Sequence, residues 1–277
     1  MLQQIHEILP DKRVTVFLNH KGGVSKTTSV ANIGFSMAAM GYRVLLIDLD
    51  SQANLTKNLI DPDKTTARWF ADQLFADDRN IKLLNPRNNL YLIPANIRMS
   101  LVDGAIKEKI EREVILKNKL QAIIDKKTFD AILLDCPTNP SQVNINALVA
   151  ADVLVVPILG ESFSLEGLTI LNQEIEVIRR NLNPRLQIDK FLISRYNPTA
   201  GINRDIAQYI AEKYPEKVFN TKIRNNLKIS EAQLRHMTVM EYLPKSNGAK
   251  DYEAITREFV EYLSGKPLIE ETTEINQ

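Results

Sequence analysis

Six short apolar runs, many of them β-branched, punctuate the chain: RVTVFLN (13–19), RVLLID (43–48), LYLIP (90–94), FDAILLD (129–135), DVLVVPI (152–158) and KFLIS (190–194). Several are apolar without interruption, as strands are when a parallel sheet is buried on both faces; a half-exposed strand would alternate. Between them apolar residues recur at helical spacing over 26–40 (ended by Gly41), 112–125, 141–150, 164–181 and 203–214. VFNTKI (218–223) predicts a further strand, followed by a short helix over 229–236 and a longer one over 249–263. Strand and helix alternate, so the expected class is α/β, a mainly parallel central sheet flanked by helices on both faces. There is no internal repeat, low-complexity block or Gly/Ser linker. Residues 1–12 are expected to form a short N-terminal extension, 13–264 a single domain and 265–277 a flexible polar tail. The extension is too short for an N-terminal helix-turn-helix domain.

Composition narrows the class of protein. With 277 residues, 44% of them apolar and 25% charged, the chain can bury a sizeable core. No run approaches the roughly 18 apolar residues of a membrane span. The opening MLQQIHEILPDKR lacks the basic-then-apolar order of a signal peptide. A single cysteine, Cys136, leaves no disulfide within the chain and suits a reducing cytoplasm. Net charge is only +1, but it is unevenly spread: residues 179–250 carry 14 Lys+Arg against 6 Asp+Glu, and the remainder is acidic. A basic segment on an acidic chain is the footprint of an anionic partner, or else a solvated surface.

The chemistry concentrates in FLNHKGGVSKTTSV (17–30), a strand, a glycine-containing turn and the start of a helix. Unpaired N–H groups at a helix start, with the helix dipole behind them, attract phosphate, and Gly22 and Gly23 free the backbone to wrap around its oxygens. Lys26 is placed to reach the β- and γ-phosphates and the Thr27 hydroxyl to hold Mg²⁺. The common spelling G-x-x-x-x-G-K-S/T is broken, because its two glycine positions hold His20 and Ser25. Ser25 therefore needs a backbone conformation that a side chain tolerates. Two lysines so close, Lys21 and Lys26, repel each other unless a polyanion sits between them.

KGGVSKTT (21–28) resembles the deviant phosphate loop K-G-G-x-x-K-S/T of the ParA/MinD superfamily of partition and positioning ATPases, and within it the Soj-like enzymes that lack a helix-turn-helix domain. The resemblance implies a P-loop fold and assigns ATP to Lys21, Gly22, Gly23, Val24, Ser25, Lys26, Thr27 and Thr28. Lys21 is then the signature lysine, which crosses a nucleotide-sandwich homodimer to the partner's phosphates. RVLLIDLDSQANLT (43–56) is similar to the family's second motif: Asp50 orients the attacking water and Asp48 lies near Mg²⁺. FDAILLDCPTNP (129–140) is similar to its Walker B strand and switch, with Asp135 toward Mg²⁺ and residues near Pro137–Pro140 sensing the γ-phosphate. Where relatives often have two prolines, Pro137 is followed by Thr138. VPILGESFSLEGL (156–168), with Glu161, Phe163, Glu166 and Gly167, resembles a helix start with dimer contacts. TKIRNNLKISEA (221–232) resembles a segment near the adenine pocket, and Lys228 falls on a basic position used for DNA in relatives.

The resemblance implies an Mg²⁺-dependent ATPase with weak intrinsic turnover. Its ATP-bound homodimer binds double-stranded DNA without sequence preference, through residues such as Lys222, Arg224, Lys228 and Arg235. A ParB-like or other cargo adaptor stimulates hydrolysis and release, so the protein is expected in the cytoplasm, nucleoid-associated when ATP-bound. Two alternatives stay open: a MinD-like membrane-associated positioning ATPase, and a nucleotide-gated scaffold with little hydrolysis. A membrane-associated ATPase of that kind would carry a basic amphipathic C-terminal helix, whereas residues 251–277 hold 2 basic and 7 acidic side chains. No membrane partner is expected.

Overall fold

The computed structural model describes residues 7–61, 67–76, 82–126, 129–160 and 165–268. Seven strands form one sheet: β1 (Val14–Phe17), β2 (Val44–Asp48), β3 (Leu84–Arg87), β4 (Leu90–Ile93), β5 (Ala131–Asp135), β6 (Val153–Leu159) and β7 (Lys190–Ser194). Their spatial order is β3-β4-β2-β5-β1-β6-β7, and every pairing is parallel except the β3–β4 hairpin at one edge. β5 is inserted between β1 and β2, which brings the carboxyl ends of three strands side by side. Asp48 is in register with Asp135, and Asp135 with Phe17.

The uninterrupted apolar runs have the expected cause, since alternate residues of each strand feed two separate cores. On one face Val14, Val16, Leu45, Ile47, Ile132, Leu134, Leu154 and Val156 pack against α3 (Val102–Ile106), α4 (Ile115–Ile124), α5 (Gln142–Ala150), α6 (Leu165–Asn181) and α7 (Gly201–Lys213). On the other, Phe17, Val44, Leu46, Leu133, Val153 and Val155 pack against α1 (Lys26–Ala39), α2 (Asn54–Leu59), α8 (Leu227–Gln233), α9 (Val239–Tyr242) and α10 (Asn247–Ser264). Helix α1 ends where the sequence says, with Gly41 at φ 101°, the left-handed conformation that glycine adopts without a Cβ penalty.

The structure corrects the strand expected at 218–223. That segment makes one isolated parallel bridge to β7, Phe191 with Val218, and a second joins Tyr196, beyond the end of β7, to Arg224. The N–H groups of Asn220 and Thr221, which in a strand would point to opposite edges, both donate to the Glu258 carboxylate of α10, at 2.7 and 2.8 Å. Strand β3 and the short helices α2, α3 and α9 were not expected. The expected dimer-contact residues Glu161 and Phe163, and most of the expected tail, lie outside the described residues.

Candidate functional site

The loop between β1 and α1 lies at the carboxyl end of the sheet, where open α/β sheets leave a crevice at the point of strand reversal. Gly23 (φ 75°) and Ser25 (φ 67°, ψ 24°) are both left-handed. Ser25 thus occupies a conformation that a side chain tolerates at a cost, of order 1 kcal/mol relative to glycine. An open cleft of about 330 Å³ is lined by Gly23, Val24, Ser25, Lys26, Thr27 and Thr28 from the loop and α1, Asp50, Asn54 and Asn58 from the β2–α2 region, Thr138 after β5, and Gln233 of α8. Sequence elements far apart in the chain thereby converge on one loop.

Lys26 is 7% exposed. Its ammonium donates to the Asn19 carbonyl at 2.8 Å, and it lies 3.3 Å from the Thr138 hydroxyl and 3.4 Å from the Lys21 carbonyl. Burial lowers its pKa, while Asp135 and Asp50 oppose that shift. Lys21 is not gathered into this cleft. Its N–H donates to Asn19 Oδ1, and it lines a second, mostly apolar hollow with Asn19, His20, Val24, Leu168 and Leu171. Gly22 stands at the loop's crest, where an added Cβ would meet only the Thr138 methyl at 4.0 Å.

The three acids have different surroundings. Asp48 is fully buried, and both of its oxygens are used: Oδ1 accepts the Asp50 N–H, and Oδ2 accepts the Thr56 N–H and hydroxyl at 2.9 and 2.7 Å. Burial still raises its pKa to about 6. Its geometry is that of a carboxylate shaping the Asp50 loop. Asp50 itself faces the cleft, its carboxylate accepting the Gln52 N–H at 2.9 Å. Asp135 is 0% exposed, and neither of its carboxylate oxygens has a hydrogen bond of proper geometry. Burial, then the nearby Asp48 charge, push its pKa well up, with the Thr27 hydroxyl and Lys26 pulling the other way. A buried carboxylate left without donors is costly unless a cation faces it. Asp135 beside the Thr27 hydroxyl therefore fits a hard, oxygen-seeking divalent ion.

The loop carries a clamp that sequence reading missed. His20 Nε2 is 2.7 Å from Glu174 Oε2 on α6, and its Nδ1 is 3.3 Å from the Thr138 carbonyl. Both partners can only accept, so the imidazole satisfies both when it is doubly protonated. Its pKa is raised, first by the Glu174 hydrogen bond. Glu174 lies 154 positions away, and no local pattern could have paired the two. Gln233 was missed for the same reason.

The four expected DNA contacts differ in availability. Arg224 is forked onto the buried Asp251, with its Nη2 2.6 Å from Oδ1. Lys228 pairs with Glu231 at 2.8 Å, and the same Glu231 accepts the Tyr242 hydroxyl. Lys222 donates to the Asn220 carbonyl, and Arg235 is exposed beside the Tyr242 ring. Lys228 and Arg235 are the pair that share helix α8 and its end.

A strand, a phosphate-wrapping loop at a helix start and a buried acid on the neighbouring strand define a P-loop nucleotide-binding protein. A family model described as "AAA domain" matches residues 12–188. The chain is 34% identical to the chromosome-partitioning ATPase Soj of Treponema pallidum over 249 residues, spanning 90% of this chain and 97% of that protein. It is also 34% identical to the chromosome partitioning protein ParA of Caulobacter vibrioides, spanning 90% and 94%. A crystal structure of a Mycobacterium smegmatis protein described as cobyrinic acid a,c-diamide synthase, with bound ATP analogue and magnesium, superposes with a TM-score of 0.76 at 29% identity, covering 94% of this chain and 100% of that one. The chain belongs to the Soj/ParA family of partitioning ATPases.

Proposed function

We propose that the protein is a DNA-partition ATPase that uses ATP and Mg²⁺. The observation that carries this reading is the convergence of the phosphate loop, Asp50 and Asp135 on one cleft and its floor, in a chain so similar to Soj and ParA. In this reading the N–H groups of Gly23–Thr28 and the Lys26 ammonium hold the β- and γ-phosphates. Thr27 and Asp135 hold Mg²⁺, which supplies charge neutralisation. Asp50 orients a water in line with the γ-phosphorus; the water oxygen bonds to phosphorus as the bond to the β–γ bridging oxygen breaks. ADP leaves with that bridging oxygen, and the water proton passes to Asp50 or to an oxygen of the departing phosphate. Asp48, whose oxygens accept from the Asp50 N–H and from Thr56, positions the Asp50 loop beside the Mg²⁺ site.

ATP would close a homodimer in which each Lys21, which lines a hollow outside its own phosphate cleft, reaches the partner's phosphates. Lys228 and Arg235, doubled by the dimer, would bind double-stranded DNA without sequence preference, each neutralised phosphate adding about 0.9 to the salt slope. Hydrolysis, stimulated by a ParB-like or other cargo adaptor, would release monomers. The working location is the cytoplasm, on the nucleoid while ATP is bound. Among the described residues no helix is long and apolar enough to cross a membrane.

The test is binding to non-specific duplex DNA with ATP, with ADP and without nucleotide, alongside Lys21→Ala and Lys228→Glu. Binding that requires ATP, falls steeply with salt and is lost in both variants is expected. An ATP-driven dimer that ignores DNA would leave the nucleotide chemistry standing and overturn the DNA role.

A further inference from the structure

Helix α8 touches the phosphate cleft at one point. Gln233, in its last turn, donates its side-chain amide to Thr28 Oγ1 at 2.8 Å, across 205 positions of sequence, and both residues line the cleft. Thr28 is the third residue of α1, so its backbone N–H belongs to the unpaired first turn. A hydroxyl has one proton and two lone pairs. A helical threonine commonly spends that proton on the carbonyl four residues back. Here that carbonyl, of Val24, lies 3.2 Å from the Ser194 hydroxyl, whose single proton is equally near the Ile158 carbonyl. With the Gln233 amide donating to it, the Thr28 hydroxyl keeps its own proton for an acceptor, a part that an anion in the cleft would fill.

The same helix bears the basic residues. Lys228 lies on α8 and Arg235 just beyond its end, both tied to Tyr242 through Glu231 or the ring face. Ala232 at 0% exposure packs the helix into the core beside α1 and α10. A second link runs parallel: Asn32 of α1 donates to the Thr28 carbonyl at 2.7 Å and accepts the Val239 N–H of α9 at 2.9 Å. Thr28 is thus bonded at its side chain to α8 and at its carbonyl, through Asn32, to α9.

We infer that Gln233 is a positioning residue that couples nucleotide in the cleft to helix α8: through Thr28 it makes phosphate binding and the setting of Lys228 and Arg235 one event. This rests on the nucleotide reading of the cleft given above. Coupling of this kind is reciprocal, so a polyanion on α8 strengthens nucleotide binding by the same factor.

The experiment is hydrogen–deuterium exchange on the full chain with and without AMP-PNP and Mg²⁺, for the wild type, Gln233→Ala, Thr28→Val and Thr28→Ser. In the wild type, nucleotide is expected to slow exchange several-fold both across the phosphate loop and across 227–235. In Gln233→Ala at saturating AMP-PNP the loop keeps its protection while 227–235 loses it. Thr28→Val loses the protection of 227–235 and also binds nucleotide more weakly, and Thr28→Ser, which retains the hydroxyl, behaves as wild type. The nucleotide-induced gain in affinity for duplex DNA falls about tenfold in Gln233→Ala, within the usual range of coupling factors. Equal protection of 227–235 in wild type and Gln233→Ala overturns the coupling. If that protection follows Gln233 but the wild type binds no DNA, the coupling stands and only the DNA role fails. An unprotected loop in the wild type removes the nucleotide reading and this inference together.

Discussion

At the scale of single residues, the loop is set by groups that satisfy one another's hydrogen-bonding needs. His20 shows this most plainly, because a carboxylate and a carbonyl face its two ring nitrogens. Its folded pKa is raised above 6.5, so the stabilisation it gives is complete below about pH 6.5 and is lost as pH rises through the raised value. Urea unfolding at pH 6 and pH 8.5 should show the wild type losing about 1–2 kcal/mol more than Glu174→Gln across that interval, the worth of a charge-assisted hydrogen bond. Equal losses in both proteins would deny His20 its role as a clamp. That Lys26 and Asp50 face one cleft was legible from the sequence, because spacing within a motif fixes their neighbours. His20 with Glu174, and Gln233 with Thr28, were not, because their partners come from other elements.

At the scale of elements, β3 shows why an edge escapes sequence reading. LNPR is polar and contains Pro86, which a central strand would exclude but an edge accepts, and its pairing with β4 is irregular. Its last residue, Arg87, holds three elements together. Its guanidinium pairs with Glu241 of α9 and donates to the Leu59 carbonyl at the end of α2 and the His236 carbonyl after α8 at 3.2 and 3.1 Å. Arg87→Ala should cost about 2–3 kcal/mol in chemical denaturation, because it strands a half-buried carboxylate and two carbonyls. Arg87→Lys should recover only part of this, since a single ammonium cannot reproduce the fork. A loss below 0.5 kcal/mol would show that the bracket is dispensable. The strand expected at 218–223 failed for a related reason: Glu258, on a helix remote in sequence, draws two consecutive N–H groups to one side, which a strand does not allow.

Across the whole molecule, the basic segment 179–250 turns out to be dispersed. Lys190 and Lys217 sit at the amino end of β7, opposite the cleft, and Arg224 is bound to Asp251. What concentrates near the cleft is the smaller group on and beside α8. Cys136 lies directly after β5 at 1% exposure, and burial followed by the Asp135 charge pushes its thiol pKa well up. A thiol so placed reacts only when the sheet opens. Labelling with a disulfide reagent is therefore expected to be negligible in the native protein and immediate in urea; rapid native labelling would mean that this end of β5 is exposed in solution.

The sequence by itself determined the class of fold, because a strand buried on both faces needs an apolar residue at every position, and it determined the phosphate loop, because its chemistry is local. It also ordered the six other strands and the longer helices along the chain, though not β3, α2, α3 or α9. Only the tertiary structure decided which acid is committed to hydrogen bonds and which stands bare: Asp48 has Thr56 and the Asp50 N–H, and Asp135 has neither. It likewise decided that Ser25 is left-handed, that Arg224 is spent on Asp251, and that α8 leans on the phosphate loop. Each of these depends on which distant donor or acceptor the packed sheet and helices bring within about 3 Å, a distance that no spacing along the chain encodes.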